Sequence, residues 1–378
     1  MFKSNDKSRE ASIWLLDGVL GNKKPLTQLL NSEEFRLFLP EERAWAKRMT
    51  SHTLRGLEIS DRILGKFLKK LPPLRVRNIL RLAVTEIGLG NSPYAVVSEA
   101  VELVAKSRNT YPFKSLTNAV LRSVTRDEKI AQQKKTTPRL PKWLRSELVA
   151  AYGNVVTEDI EAIHFADPPV DFTPANKKGV VKLTSLLNGK LLLDHTIRLK
   201  KSSQISRLPG FKKGQWWVQD LAASIPIRLL GDIKGKKVLD LCAAPGGKSL
   251  QLCSLGANVV AADISQDRAA KLRENLERMR FHAEVRTIDA LKIRGEQFDV
   301  VLLDAPCSAT GTIRRNPDIP FIKNKNDVKS LEKIQGKLLL HSLDLIKPGG
   351  CLIYCTCSLL PSEGELQIEK LFSFRKDL

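Results

Sequence analysis

A chain of 378 residues, 42% apolar and 27% charged, carries enough apolar material for two or three domains with cores, which excludes a wholly disordered chain. Its 62 Lys and Arg against 41 Asp and Glu leave a formal charge of +21, which points to a polyanionic partner. All six cysteines fall at or beyond Cys242, which excludes a disulfide framework spanning the chain and fits a reducing, cytoplasmic compartment.

The first residues, MFKSNDKSREASIWLLDGVL, lack the apolar run and cleavage site of a signal peptide, and no stretch approaches a membrane span. Neither export nor a membrane partner is expected. Residues 1–130 read as an all-helical domain. After Pro72 and Pro73 the positions Val76, Ile79, Leu80, Ala83 and Ile87 repeat at helical spacing, with Arg75, Arg77 and Arg81 off that stripe. Val97, Ala100, Val101 and Val104 form a second stripe after Pro93. Residues 1–136 hold 25 basic against 14 acidic residues, so over half of the charge excess lies in this part.

Residues 131–141, AQQKKTTPRLP, are polar, basic and interrupted by proline, the composition of a linker. Residues 142–215 combine a short helix, Trp143 to Ala151, with the apolar runs VVKLTSLL and GKLLLDH, which suggests a small α+β module. Residues 216–378 form the last domain. From Gly231 onward the apolar strands KKVLDLC, NVVAADI, AEVRTI, FDVVLLD and GGCLIYC alternate with helical segments, the pattern of a doubly wound, mostly parallel α/β sheet. Ligands bind such sheets at the carboxyl ends of the strands.

The residues at those ends are chemically suggestive. The first strand runs into Cys242, Ala243, Ala244, Pro245, Gly246, Gly247 and Lys248, a small-residue loop opening a helix, where backbone amides can approach a ligand. A tight strand-to-helix turn would look the same. Asp263 closes the second strand, where an acid meets ribose hydroxyls; Asp289 follows the third and is suited to an adenine amino group. Either acid alone is also readable as a helix cap, but three strands ending in ligand-suited residues favour a ligand.

The fourth strand ends in Asp304, Pro306 and Cys307, and the fifth delivers Cys357 to the same edge. Two thiols are therefore expected to face one cleft. Carbon 5 of cytosine is a poor nucleophile until something adds to carbon 6, and a thiolate suits that addition. One cysteine attacks while the other assists loss of the carbon 5 proton. Half-ionising an ordinary thiol at neutral pH requires about 1.5 pH units, or roughly 2 kcal/mol, toward which a cation such as Lys248 would contribute. Cys253, Cys351 and Cys355 read as buried small apolar residues. Cys351, Cys355 and Cys357 lie on an apolar strand with no nearby His, so no metal is expected.

The motifs CAAPGGK, VVAADIS, LLDAPCSATG and YCTCSLLPSEGE, with the preceding QWWVQDLAAS (Gln215–Ser224), resemble the RsmB (Sun/Fmu) type of bacterial 16S rRNA cytosine-C5 methyltransferases. RAWAKRMTSHTLRG, VRNILRLAVTEI, VVSEAVELVAK and KSLTNAVLRSV resemble the NusB RNA-binding fold. The resemblance implies that Cys242 to Lys248, Asp263, Asp289 and Asp304 contact S-adenosyl-L-methionine, with Arg268 a further candidate. It also implies that Cys357 is the nucleophile, that Cys307 aids product release, and that Asp304 holds the cytosine ring. It implies 16S rRNA as the partner; a monomer is expected. The family continues with two further strands beyond the helix after YCTCS, so the sheet is expected to lack its last hairpin. Three other readings remain open. A cytosine-C5 methyltransferase of another RNA would carry the same residues. A DNA-type enzyme would use Cys307 as nucleophile, and a non-catalytic RNA-binding assembly factor would not need the cofactor.

Overall fold

The computed structural model describes residues 6–127, 136–193, 195–200 and 204–376. The chain forms two compact units, one of Met1–Asp167 with Ala309–Asp327, the other of Pro168–Ser308 with Val328–Leu378.

Among its described residues the first unit is all helical. Its principal helices are Asp6–Leu20, Pro40–Arg55, Leu57–Gly65, Leu74–Gly88, Pro93–Ala105 and Lys114–Arg126. Pro40 and Pro93 each occupy the first helical turn, where a missing N–H costs nothing and φ is already set. The two expected stripes are core: Val76, Ile79, Leu80, Ala83, Val97, Ala100 and Val104 are buried with Leu15, Leu16 and Met49, while Ile87 and Val101 pack against them half-buried. Arg81 departs from expectation, being 6% exposed. Its guanidinium makes paired 2.7 Å bonds to Asp61 and a 2.9 Å bond to Asn78, which satisfies the charge inside the unit.

Of the expected linker, residues 131–135 lie outside the described residues. The helix expected over Trp143–Ala151 runs instead over Lys142–Phe165, broken at Gly153, whose φ of 78° interrupts the helical turn. It packs in the helical unit, with Leu144 and Leu148 wholly buried. The segment Ala309–Asp327, expected within the catalytic domain, also packs there. Leu26 N–H donates to Asp318 at 2.8 Å, Arg55 donates to the Arg314 carbonyl at 2.9 Å, and Trp143 Nε1 donates to the Pro320 carbonyl at 2.9 Å. Long-range bonds, invisible to local periodicity, thus reassign both segments.

The second unit contains two sheets. The smaller is antiparallel, ordered β2-β3-β1-β4, from β1 (Asp171–Pro174), β2 (Gly189–Leu192), β3 (Thr196–Leu199) and β4 (Trp216–Val218). Phe172, Leu187, Ile197 and Trp216 form its core, with the Phe172 and Trp216 rings 4.1 Å apart. Strand β4 pairs with β1, so the small module closes past residue 215.

The larger sheet is wholly parallel and ordered β7-β6-β5-β8-β9, from β5 (Lys237–Leu241), β6 (Asn258–Asp263), β7 (Glu284–Thr287), β8 (Phe298–Asp304) and β9 (Ile346–Cys355). Side chains alternate between its faces. Val238, Ala261, Val300 and Leu302 enter one apolar layer, whereas Leu239, Leu241, Val260, Val301 and Leu303 enter the other. Helices cover both layers, which explains the continuous apolar runs in the strands. Among the described residues no helix is long and apolar enough to cross a membrane.

Candidate active site

Because β5 to β9 run parallel, all five present their carboxyl ends along one edge, and the singled-out residues follow those ends. Chain β5 leaves the sheet through Cys242, at a φ of 60°, with Ala243 N–H bonded to the Ala262 carbonyl at 3.0 Å. Ala244 N–H donates to Asp263 at 3.1 Å, and the Pro245 carbonyl accepts from Asn275 at 3.0 Å. Gly246 turns the chain into the helix Gly247–Ser254 at a φ of 104°, where a Cβ would stand 2.3 Å from Leu272 Cδ1. Gly246→Ala is therefore expected to cost about 1–3 kcal/mol and to weaken cofactor binding. Unchanged thermal unfolding and cofactor affinity in that variant would contradict this account of the loop.

Asp263 is 2% exposed and serves the loop directly. Besides Ala244 it accepts from Ser265 N–H at 3.0 Å, and Arg268 lies 3.4 Å away while also donating to the Ala244 carbonyl. The cap of the following helix is Ser265, not Asp263. Asp289 does cap a short helical turn, accepting from Leu291 N–H at 3.0 Å. Asp240 is a residue that no sequence motif singles out. It is wholly buried in β5, and burial pushes its carboxyl up to about 7, with the Ser249 hydroxyl opposing.

Asp304, at the end of β8, accepts from Lys248 Nζ at 2.7 Å and lies 3.6 Å from the Cys355 thiol. Burial is the largest single influence and works against the Lys248 ammonium, but Asp304, Cys355 and Asp240 together outweigh it and the net direction is upward, so the cation persists. Asp263, Asp289 and Asp304 outnumber Lys248 and Arg268 along this edge. That excess of carboxylate, with ribose-suited acids beside a small-residue loop, fits a cationic, nucleoside-bearing methyl donor.

The two thiols meet. Strands β8 and β9 pair as far as Asp304 and Cys355, and Ala305 N–H bonds the Cys355 carbonyl at 2.9 Å, so both chains leave the sheet side by side. Cys307 and Cys357 follow within three residues, with sulfurs 3.3 Å apart. Their hydrogen bond holds Cys357 below an ordinary thiol; burial opposes that shift, as does Asp304, while Lys248 assists. The expected help from Lys248 is thus secondary, because its charge is already paired with Asp304. Burial pushes Cys242, Cys253 and Cys355 up to about 12, consistent with inert side chains. Cys351 differs from expectation in being exposed, since β9 is the outer strand of the described sheet. Among the described residues no group of three or more His, Cys, Asp or Glu is placed to hold a metal.

Residues 228–378 match the family described as 16S rRNA methyltransferase RsmB/F, and residues 6–126 match the NusB family. The ribosomal RNA small subunit methyltransferase B of Sodalis glossinidius (strain morsitans) is 36% identical over 304 residues, covering 75% of this chain and 70% of the relative. The protein of that name from Proteus mirabilis (strain HI4320) is 31% identical over 359 residues, covering 89% and 85%. The solved structure of PH0851 superposes with a TM-score of 0.75 at 22% identity, covering 99% of this chain and 90% of that one, a likeness of fold.

Proposed function

The chain belongs to the ribosomal RNA small subunit methyltransferase B family, and from that membership we propose that it methylates carbon 5 of a cytosine in 16S rRNA through a covalent cysteine adduct. The observation that carries the reading is the 3.3 Å thiol pair beside the Lys248–Asp304 ion pair, on the sheet edge that also bears the glycine loop. S-adenosyl-L-methionine supplies the electrophilic methyl group when bound against residues 242–248, Asp263, Asp289 and Asp304.

This chain's residues do the rest. Cys357 adds its thiolate to carbon 6, which makes carbon 5 nucleophilic toward the methyl group. Asp304 holds the cytosine ring, with Lys248 fixing its carboxylate. After transfer, Cys307 assists loss of the carbon 5 proton; the carbon–sulfur bond breaks and the Cys357 thiolate is restored. The basic helical domain positions the RNA through phosphates and shape, and the target base leaves its stack to reach the thiols. A cytoplasmic setting suits a ribosomal substrate and cysteines that form no disulfide.

Bisulfite mapping of 16S rRNA from cells with and without this gene tests the assignment. One cytosine is expected to lose protection when the gene is removed and to regain it on complementation. An unchanged pattern would reject the substrate.

A further inference from the structure

Glu363 lies six residues past Cys357 and is wholly buried, where an ionisable side chain persists only if its bonding positions are used. Its Oε1 accepts from Ser308 N–H at 2.8 Å and from Gln335 Nε2 at 2.9 Å. Its Oε2 accepts from the Ser358 hydroxyl at 2.6 Å and from the Ser308 hydroxyl. A carboxylate has about four such positions, so this one is saturated.

The partners are what give the arrangement its meaning. Ser308 is the residue after Cys307, and Ser358 the residue after Cys357. Gln335 also donates to the Pro306 carbonyl at 2.9 Å, on the other side of Cys307. The serine hydroxyls lie 3.2 Å from each other, in parallel with the 3.3 Å sulfur contact. Tyr354, on β9, donates to the Glu363 carbonyl at 2.7 Å, which ties the carboxylate's own backbone to the strand that delivers Cys357. Beyond the ends of β8 and β9, then, the two thiol-bearing turns are joined through one side chain.

We infer that Glu363 is a positioning residue that sets the separation of Cys307 and Cys357 by clamping the turn that follows each. The inference deepens the proposed mechanism and rests on it for its catalytic consequence, though the clamp concerns the two turns alone. Reaction geometry is sensitive at this scale: a misplacement of about 1 Å costs on the order of 100-fold in rate. None of the cofactor-loop bonds described above runs through Glu363, so its loss should spare cofactor binding.

The test uses Glu363→Leu and Glu363→Gln in the full-length chain. Without RNA, two readouts report on the thiols: the pH profile of Cys357 alkylation by iodoacetamide, and the rate at which diamide oxidises the pair. In the second reaction two thiols lose two hydrogens to the diazene and form one disulfide. Glu363→Leu is expected to keep its affinity for S-adenosylmethionine, to shift Cys357 alkylation to higher pH as the Cys307 bond is lost, and to form the disulfide more slowly. With rRNA its kcat should fall by about 100-fold at nearly constant KM. Glu363→Gln keeps the oxygen facing the two N–H donors and turns its amide toward hydroxyls that can also accept, so it should restore most of the rate.

An unaltered alkylation profile and disulfide rate in Glu363→Leu, with cofactor still bound, would overturn the inference. If Glu363→Leu loses the cofactor, Ser358→Ala decides. It removes one clamp bond and should slow disulfide formation, and an unchanged rate there overturns the inference equally. The RNA-free readouts keep this separate from the mechanism, which fails instead if Cys357→Ala turns over.

Discussion

Cys357→Ala is expected to bind S-adenosylmethionine as the native chain does and to transfer no measurable methyl group to rRNA, a loss of at least about 10⁴-fold in kcat. The magnitude follows from the chemistry at carbon 6. Removing an attacking thiolate removes the step that makes carbon 5 nucleophilic, and no neighbour can substitute at the same point. Cys355 is nearest in sequence, but burial and Asp304 hold its thiol at about 12, and it points its sulfur at that carboxylate. Cys307 is within 3.3 Å yet belongs to the other turn. Methyl transfer by Cys357→Ala at more than a few per cent of the native rate would reject the role.

Cys307→Ala is expected to do the opposite, attacking normally in kind but failing to finish. A covalent protein–RNA species should accumulate to near stoichiometry with enzyme, stable to denaturing electrophoresis, while turnover falls by about 10²- to 10⁴-fold, the range for loss of a general acid or base. The structure adds a pH signature. The Cys307 hydrogen bond is the largest influence holding Cys357 low, so its removal raises the Cys357 pKa. Thiolate fraction grows with pH, so adduct formation in Cys307→Ala should be slowed most at neutral pH and approach the native rate in alkali. Rapid quench at several pH values measures this. A pH-independent deficit would mean that the contact does not tune the nucleophile.

Much of this site is legible in the sequence because parallel sheets are written locally. Each apolar run ends where its strand ends, and β8 and β9 are neighbours, so Cys307 and Cys357 had to emerge together. The Gly246 turn is legible too, since only a glycine tolerates its φ so close to Leu272. Buried polar bonding is what periodicity hides. Glu363 lies in YCTCSLLPSEGE without standing out, and its bond to Ser308 spans 55 positions. Arg81 looks like solvated surface until Asp61 is found beside it. The long excursion of Ala309–Asp327 into the helical unit is likewise set by the bonds from Leu26, Arg55 and Trp143, none of which a local pattern can announce.

Peptide mapping of the trapped adduct settles which sulfur attacks. After incubation of Cys307→Ala with 16S rRNA and S-adenosylmethionine, followed by nuclease and protease digestion, mass spectrometry should find a methylated cytidine nucleotide on the peptide bearing Cys357. A nucleotide attached to any other residue, or no adduct from an enzyme that binds both substrates, would contradict the pairing of roles.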